Sequence, residues 1–206
     1  MTERIPTATV ARLPRYLRCL SDMAESTSTC SSEEIAVVAG VNAAQVRKDL
    51  SYLGSHGTRG VGYDIDELRS HIRKELGMLN DHPVVIIGAG NLGTALANYG
   101  GFENWGFEIE AIVDVDENKI GTSVGSLVVE SLHRLTEIVN AKSIKIGIIA
   151  TPPSAAQGAA DRLMDAGIKS ILNLAPTIIK PNDEVSVRRV DLSTELGILA
   201  YHLNRP

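Results

Sequence analysis

The spacing of apolar residues near the start of the chain predicts a helix. Leu13, Leu17, Leu20 and Ala24 lie four, three and four residues apart, which places them on one face of a helix over residues 12–25. A polar run, STSTCSS, then separates this helix from the elements that follow. We therefore predict that the chain opens with a helical unit.

Two capping signals close together predict two short helices joined by a tight turn. Ser31 and Glu34 stand in capping-box register ahead of apolar residues, and Gly40 marks the end of that helix. Asn42 and Gln45, three residues apart, have the spacing of an N-cap pair for the next helix. This is the layout of a helix-turn-helix, whose second helix enters the DNA major groove with its early residues facing base edges.

The glycine-rich stretch LGSHGTRGVGYDI, residues 53–65, predicts a tight hairpin. We interpret it as a wing with Arg59 at its tip, where neighbouring glycines remove the bulk that would keep an arginine from a phosphate or a minor groove. Asp64 and Glu67 would cap a further helix to about residue 78, and residues 80–83 resemble a linker.

From residue 84 the pattern changes to short apolar runs that alternate with helical stretches. The runs that predict strands are VVII, FEIEAIVDVD, IKIGIIA, SILNLA and a segment near residues 185–190. Such alternation predicts an α/β fold, a parallel sheet with helices on both faces. The final segment carries one helical stripe of leucines, Leu192, Leu196, Leu199 and Leu203.

Charge is distributed unevenly between these two parts. The chain has 206 residues and a formal charge of −5. Residues 1–80 hold ten Lys or Arg and ten Asp or Glu, whereas residues 81–206 hold ten and fifteen, so the acidic excess lies entirely in the second part. A local cationic cluster near the start contains Arg4, Arg12, Arg15 and Arg18 against Glu3. This asymmetry indicates a polyanionic partner for the first part.

Apolar runs and cysteines narrow the class of protein. No apolar run approaches the roughly 20 residues of a spanning helix, and the start lacks the apolar core of a signal peptide, so we expect a cytoplasmic protein with no membrane partner. Cys19 and Cys30 form no CxxC pair and have no histidine cluster nearby. This favours reduced, idle thiols over a disulfide framework or a metal site.

A glycine fingerprint follows the first strand of the second part. Gly88, Gly90 and Gly93 have GxGxxG spacing, which supplies a tight turn, a close backbone approach to a pyrophosphate and close packing of helix on strand. Asp114 ends the next strand, where its carboxylate can accept hydrogen bonds from an adenine-ribose diol and would repel a 2′-phosphate. The pattern favours NAD over NADP. Two alternatives stay open, glycines that serve only packing and a different nucleotide such as coenzyme A.

Two further motifs end later strands at the same predicted edge of the sheet. IIATPP includes Thr151 and Pro152, and NLAP includes Ala175 and Pro176. Because ligands bind at the carboxyl edge of open α/β sheets, we expect these residues to line the nicotinamide half of the site. The alternative is that they are turns fixed by proline. The rest of the predicted nucleotide site lies within the fingerprint and comprises Ala89, Asn91 and Leu92.

Candidate catalytic residues are poor. His56 lies in the wing, His82 in the linker and His133 far from the fingerprint, while His71 and His202 lie on predicted helices. Hydride transfer needs a proton donor or acceptor beside the nicotinamide, so we expect no enzyme. An NAD-dependent oxidoreductase stays as one rival class, and a winged-helix regulator that answers another nucleotide as a second.

The combination of motifs resembles a known family. Five stretches, in order over nearly the whole chain, are together similar to the Rex family of redox-sensing transcriptional repressors. They are AAQVRKDLSYLGSHGTRGVGYDI, GAGNLGTALANYGGF, DVDENKIG, LNLAP and VDLSTEL. Leu53 departs from the family, which often has an aromatic residue there. The resemblance implies a homodimer that senses the ratio of NADH to NAD⁺, binds a palindromic operator and is released from DNA by NADH. It also implies a C-terminal helix exchanged between subunits.

The implied organisation is a winged-helix domain over residues 1–80, a Rossmann NAD-binding domain over residues 81–190 and the exchanged helix over residues 191–206. The predicted DNA contacts are Gln45, Arg47, Lys48, Ser51, Tyr52, Arg59 and Gly60. The resemblance further implies a switch that couples ligand state to domain angle through Arg18, Tyr99 and Asp191. The alternative is that Arg18 contacts a phosphate and Asp191 caps the last helix.

Overall fold

The structure, a computed structural model, describes residues 5–55, 57–58 and 60–203. The chain divides between Asn80 and Asp81 into two compact units. The first unit has its own helical core, and the second is built around a seven-stranded sheet.

The first unit consists of short helices and one small sheet. Its elements are α1 (Thr7–Val10), α2 (Leu13–Met23), β1 (Thr29–Cys30), α3 (Ser32–Ala39), α4 (Ala43–Ser51), β2 (Tyr63–Asp64) and α5 (Ile65–Glu75). The predicted apolar face of α2 is confirmed for Leu13, Leu17 and Leu20, which are each at most 2% exposed, whereas Ala24 lies just after the helix and is exposed. Burying such a face is what stabilises a helix this short.

The predicted helix-turn-helix is confirmed at its caps. The Ser31 hydroxyl accepts a hydrogen bond from the Glu34 N–H, and the Ser31 N–H donates to the Glu34 carboxylate. Gly40 ends α3 in the left-handed conformation with φ of 68°, which glycine adopts without a Cβ penalty. Asn42 then caps α4 by accepting from the Gln45 N–H at 2.8 Å. Side-chain caps therefore fix both sides of the turn.

The wing differs from the predicted hairpin. Strand β2 pairs antiparallel with β1. Among the described residues of the segment before β2, a bridge joins Thr58 to Gly62. Gly62, with φ of 98°, lies against the Cys30 carbonyl too closely for any Cβ. Arg59 lies outside the described residues.

The second unit is the predicted α/β layer structure. Its elements are β3 (His82–Ile87), α6 (Asn91–Ala97), β4 (Phe107–Asp114), β5 (Ser123–Val124), β6 (Leu127–Ser131), α7 (Leu135–Ala141), β7 (Ile146–Ile149), α8 (Pro153–Asp165), β8 (Ser170–Asn173), β9 (Ser186–Arg189) and α9 (Leu192–Leu203). The strand order is β5-β6-β4-β3-β7-β8-β9, parallel throughout except for β5. The predicted linker is shorter than expected because His82 and Pro83 already belong to β3.

Alternate residues of β3 face two cores. Val85 and Ile87 point to the side covered by α7 and α8, whereas Val84 and Ile86 point to the side where α6 packs. A central parallel strand buried on both faces reads as a continuous apolar run, as VVII does. The sheet therefore holds the carboxyl ends of β3, β4, β7 and β8 in register along one edge.

Helix α9 carries the predicted leucine stripe, and none of its residues is buried within the chain. Leu196 and Leu199 are 66% and 59% exposed. A contiguous apolar stripe of this kind on a helix marks an interaction surface. No helix among the described residues is both long and apolar enough to cross a membrane.

Candidate functional site

The three fingerprint glycines carry out three different jobs at the end of β3. Gly88 turns the chain with φ of 108°, and a Cβ there would come within 2.6 Å of the Ala150 carbonyl oxygen. A Cβ on Gly93 would overlap the Gly88 carbonyl, so this residue allows helix α6 to pack on the turn. At Gly90, apart from the residue itself and its two chain neighbours, no protein atom lies within 4 Å of where a Cβ would be. The turn therefore leaves open space beside the Gly90 backbone.

Helix α6 begins directly at this open space. Gly90 is its N-cap, and among the described residues no side chain caps it. The first N–H groups of Asn91 and Leu92 thus lie where an anionic group is favoured, because the orphan donors and the helix dipole both attract negative charge. This geometry suits a pyrophosphate.

Asp114 lies beside the turn and is 7% exposed. Its carboxylate accepts hydrogen bonds from the N–H groups of Ala89, at 2.7 Å, and Asp116, at 2.9 Å, and it pairs with Lys119 at 3.2 Å. Burial by itself would raise the pKa of Asp114, but these partners hold the pKa below its ordinary value. The carboxylate is therefore ionised and tied to the glycine turn. Its predicted ribose contact would use its remaining acceptor capacity or displace the half-exposed Lys119.

Thr151 lies across the edge from the glycine turn, because its methyl group would be 3.3 Å from a Cβ on Gly88. The Thr151 hydroxyl is buried and has no hydrogen-bond partner within the described part of the chain. Unpaired buried hydroxyls are costly, so this one calls for a partner outside the chain. Pro152, the next residue, is the N-cap of α8.

The NLAP motif is held by a residue that the prediction left out. Asn173 is fully buried, its side-chain oxygen accepts the Ala175 N–H at 3.0 Å, and its amide donates to the Thr177 carbonyl at 2.8 Å. Ala175 is buried and Pro176 is exposed. A side chain that satisfies its own strand end is a common turn device, and this signal was available in the sequence.

The predicted nucleotide residues thus converge on one sheet edge. The register pairs Ile87 with Val113 and Ile149, and Ile149 with Asn173, so the residues that follow these four strands lie side by side. A glycine cradle, an uncapped helix start, an ionised carboxylate and an orphaned hydroxyl fit a dinucleotide. The described residues contain no cluster of three or more His, Cys, Asp or Glu placed to hold a metal ion.

The second candidate site is the exposed side of α4 in the first unit. Arg47 donates to the Ser32 hydroxyl at 2.8 Å and to the Glu33 carboxylate at 3.0 Å. Lys48 is exposed, and the Ser51 hydroxyl is bound to the Lys48 carbonyl. Tyr52 is half-buried just after the helix, and Gly60 is an exposed turn residue with φ of 83°.

Sequence reasoning missed the buried carboxylate of Asp49 on this same helix. It is fully buried and accepts hydrogen bonds from Thr9 at 2.9 Å, Arg12 at 2.6 and 2.8 Å, Tyr16 at 2.7 Å and Gln45 at 2.9 Å. This cluster, which we name the Asp49 cluster, joins α1 and α2 to α4. Only the i, i+4 spacing of Gln45 and Asp49 was visible in the sequence.

The chain is similar over nearly its whole length to curated proteins of one function. It is 55% identical over 202 residues to the redox-sensing transcriptional repressor Rex of Streptomyces avermitilis, covering 98% of this chain and 80% of that protein. It is 46% identical to the Rex of Carboxydothermus hydrogenoformans, covering 98% of each. The chain belongs to the Rex family.

Two solved structures extend the similarity to Rex proteins. RSP in complex with β-NAD⁺ and operator DNA aligns with a TM-score of 0.90 at 37% identity, over 98% of this chain and 94% of that one. RSP in complex with β-NADH aligns with a TM-score of 0.88 at 36% identity, over 98% and 95%. The prediction of a Rex-type fold, a DNA-binding domain followed by a Rossmann-like domain, is confirmed.

Two family models match the parts of this Rex chain separately. A model described as "Putative DNA-binding protein N-terminus" matches residues 4–51, and one described as "CoA binding domain" matches residues 80–177. The second model covers the glycine turn, Asp114 and Thr151. The alternative ligand considered from the sequence, a nucleotide such as coenzyme A, therefore stays open.

The three switch positions implied by the resemblance to Rex have ordinary surroundings within their own units. Arg18 is exposed on α2. Tyr99 is 58% exposed and lies edge-on to Phe102, with 5.1 Å between ring centroids. The Asp191 carboxylate accepts the Ser193 N–H at 3.0 Å and pairs with Arg189 at 3.3 Å, as a residue that caps α9 would. The switch stays a prediction.

Proposed function

We propose that this chain is a transcriptional repressor that binds double-stranded operator DNA and is released from it by NADH, so that it reports the ratio of NADH to NAD⁺ in the cytoplasm. One observation carries the proposal. A single relative, aligned over 98% of this chain, was solved with β-NAD⁺ and operator DNA together. The glycine cradle and the capped recognition helix supply one site for each ligand on this chain.

Discrimination between the two nucleotides needs binding and no chemistry. The oxidised nicotinamide ring is positive and the reduced ring is neutral, so an apolar wall disfavours the first by desolvation. We assign that wall to Thr151, Pro152, Ala175 and Pro176. A coupling free energy of about 1 to 3 kcal/mol between NADH binding and DNA binding would change operator affinity by about 5- to 150-fold. No catalytic residue is required, which separates this function from that of an oxidoreductase.

The DNA-contacting face is assigned to α4 and the wing. Gln45 would face a base edge, Arg47 and Lys48 a base or phosphate, and Ser51, Tyr52, Arg59 and Gly60 the neighbouring backbone or groove. The unit that carries them has no net acidic excess, unlike the second unit. A cationic helix therefore fits in an acidic protein, because the excess negative charge lies in the other unit.

Replacing Glu33 by Gln should tighten operator binding. Arg47 donates to the Glu33 carboxylate, and both side chains are more than half exposed. Arg47 must give up that partner to reach a phosphate. An exposed ion pair is worth at most about 1 kcal/mol, so we expect a gain of about two- to fivefold at low salt that shrinks as salt rises.

Fluorescence anisotropy at two salt concentrations would measure this gain. Glu75→Gln, the same charge change on α5, is the matched control. Equal gains in operator affinity in both variants would mean that net charge causes the effect. The explanation that Glu33 restrains Arg47 would then be wrong.

We assign α9 to a homodimer in which each chain exchanges this helix with its partner. A helix that buries no residue within its own chain needs an apolar surface elsewhere. Leu199→Asp should therefore convert the dimer to a monomer in sedimentation velocity. Thr194→Asp adds the same charge on the opposite face of α9 and should leave the dimer intact. A dimer that survives Leu199→Asp would remove α9 from the interface.

We further assign Arg18, Tyr99 and Asp191 to the coupling between nucleotide state and DNA affinity. Arg18 lies on α2, Tyr99 lies just after α6, and Asp191 lies just before α9. The test is Asp191→Ala in the titration described next. A variant that still binds the operator and still responds fully to NADH would leave Asp191 with its capping role alone.

The experiment that tests the proposed function is anisotropy binding to a palindromic family-like operator at fixed salt, titrated separately with NAD⁺, NADH and an acyl-coenzyme A. We expect NADH to release DNA at concentrations where NAD⁺ has little effect. Release by the acyl-coenzyme A alone would favour the alternative carried by the second family model. Turnover of a substrate without operator preference would favour the oxidoreductase.

A further inference from the structure

The Asp49 cluster does more than join three helices, because one of its donors lies on the candidate DNA-binding face. Gln45 is the third residue of α4 and is half-buried. Of the other donors, Thr9 lies on α1, Tyr16 lies on α2 and Arg12 is the N-cap of α2. Early residues of a recognition helix are those that meet base edges. The cluster therefore connects the interior of the unit to a candidate base-reading side chain.

The carboxylate at the centre of the cluster is held ionised. Burial alone would raise the pKa of Asp49, but the hydrogen bonds from Arg12, Tyr16, Thr9 and Gln45 hold the pKa at about 2. An ionised carboxylate only accepts hydrogen bonds. At neutral pH every neighbour of Asp49 must therefore present a donor to it.

This requirement fixes the orientation of the Gln45 amide. A glutamine amide carries two donor hydrogens on nitrogen and an acceptor oxygen, and a rotation of half a turn exchanges them. The Gln45 Nε2 atom lies 2.9 Å from Asp49 Oδ1, which also accepts from Thr9 and Arg12 and is held in place by them. The reverse orientation would place the Gln45 oxygen against a negative charge. Asp49 thus occupies one amide hydrogen of Gln45, which leaves the Gln45 oxygen and the second amide hydrogen for other partners.

We propose that Asp49 is a positioning residue for base recognition, which locks Gln45 so that it meets the major groove as a hydrogen-bond acceptor and reads an exocyclic amine, adenine N6 or cytosine N4. This rests on the proposed function, since it assumes that α4 enters the groove. Adenine and cytosine are the bases that present a donor there, whereas guanine and thymine present acceptors at the corresponding positions. The specificity of Gln45 is therefore set by a residue that does not touch DNA.

The test uses the full chain and a duplex that the wild-type chain selects from a randomised pool. Each adenine or cytosine of a half-site is replaced in turn by the analogue that lacks the amine, purine or 2-pyrimidinone. We expect one position at which removing the amine weakens wild-type binding by about tenfold. Gln45→Ala should lose this amine dependence. If the wild-type chain selects no sequence, the proposed function fails before this inference is tested.

A second pair of variants tests positioning apart from stability. In Gln45→Glu a second carboxylate would face Asp49, so the side chain should turn away and the amine dependence should vanish, even though a carboxylate is a good acceptor for an amine. Adding Asp49→Asn to that variant supplies an amide donor to the new carboxylate at position 45 and should restore the dependence. For each variant, the ratio of its affinities for the unmodified duplex and the duplex without the amine is compared. This ratio cancels the effect of the variant's changed overall charge.

Thr9→Val is the control, since it removes one donor to Asp49 without changing Gln45 and should keep the amine dependence. Three results would overturn the proposal. They are no position sensitive to amine removal, an unchanged dependence in Gln45→Ala, or a dependence that persists in Gln45→Glu with Asp49 intact. The last result requires no Asp49 variant, so it can be obtained even if Asp49→Asn alone does not fold.

Discussion

Gly93→Ala is expected to weaken NADH binding strongly and to lower the stability of the second unit. The added Cβ would overlap the Gly88 carbonyl, which is backbone and cannot rotate away. Helix α6 must then move off the glycine turn and widen the cradle. We expect the affinity for NADH to fall by at least about a hundredfold, which is roughly 2.7 kcal/mol of binding free energy. We also expect the free energy of unfolding of the second unit to fall by about 1 to 3 kcal/mol.

Isothermal titration with NADH and thermal unfolding would measure both effects. Gly90→Ala separates the two effects, because its Cβ meets no protein atom within 4 Å beyond its own chain neighbours. That variant should keep its melting temperature and still lose NADH affinity, since the new methyl group would occupy space left for the ligand. Gly158→Ala, in the interior of α8 with equally open surroundings, should leave NADH affinity unchanged and raise the melting temperature slightly, because alanine favours a helix over glycine by up to about 1 kcal/mol. NADH affinity unchanged in Gly90→Ala would move the pyrophosphate away from this turn.

Asp49→Ala is expected to destabilise the first unit by about 3 to 5 kcal/mol. Removing one partner of a buried ion pair leaves the other partner without compensation. Here the loss strands Arg12, whose side chain is 22% exposed, together with the Tyr16 and Thr9 hydroxyls. Thermal unfolding followed by circular dichroism would measure the loss. Asp22→Ala, an exposed carboxylate on α2, should stay within about 0.5 kcal/mol of wild type.

The same carboxylate predicts a dependence on pH. Asp49 has a folded-state pKa of about 2, below its ordinary value near 4. A lowered pKa contributes stability that is present above about pH 4 and is lost as pH falls towards 2, on the order of 2 kcal/mol in all. The stability difference between wild type and Asp49→Ala should therefore narrow in acid. A constant difference down to pH 2 would mean that Asp49 is not held ionised by its partners.

Features set by neighbouring residues were predictable from the sequence, and features set by distant pairing were not. Ser31 and Asn42 cap their helices through side chains that bond three residues along, and Gly40 ends α3 through its own left-handed backbone, so all three predictions are confirmed. Strand β1 has only two residues, and it forms because β2, more than thirty residues later, pairs with it. No local sequence pattern therefore predicts it. Strands β5 and β6 were likewise missed, since they are short and partly exposed.

The candidate sites follow the same division. The fingerprint glycines and Asp114 have fixed spacing, so sequence alone placed them at one edge of the sheet. Asp49 sits in VRKDL, which reads as a run of exposed charge. Its burial depends on Thr9, Arg12 and Tyr16, which lie 33 to 40 residues away. A polar residue buried by remote partners is the kind of feature that periodicity cannot detect.

The two thiols limit which chemical signals this protein can detect. Cys19 and Cys30 are at most 3% exposed, and burial raises the pKa of both, that of Cys30 to about 11. A protonated, inaccessible thiol reacts slowly with peroxide or disulfides, because the thiolate is the reactive form. Oxidant stress as such should therefore leave these two thiols unmodified. The protein would then register oxidants through the electron balance of metabolism and not through its cysteines.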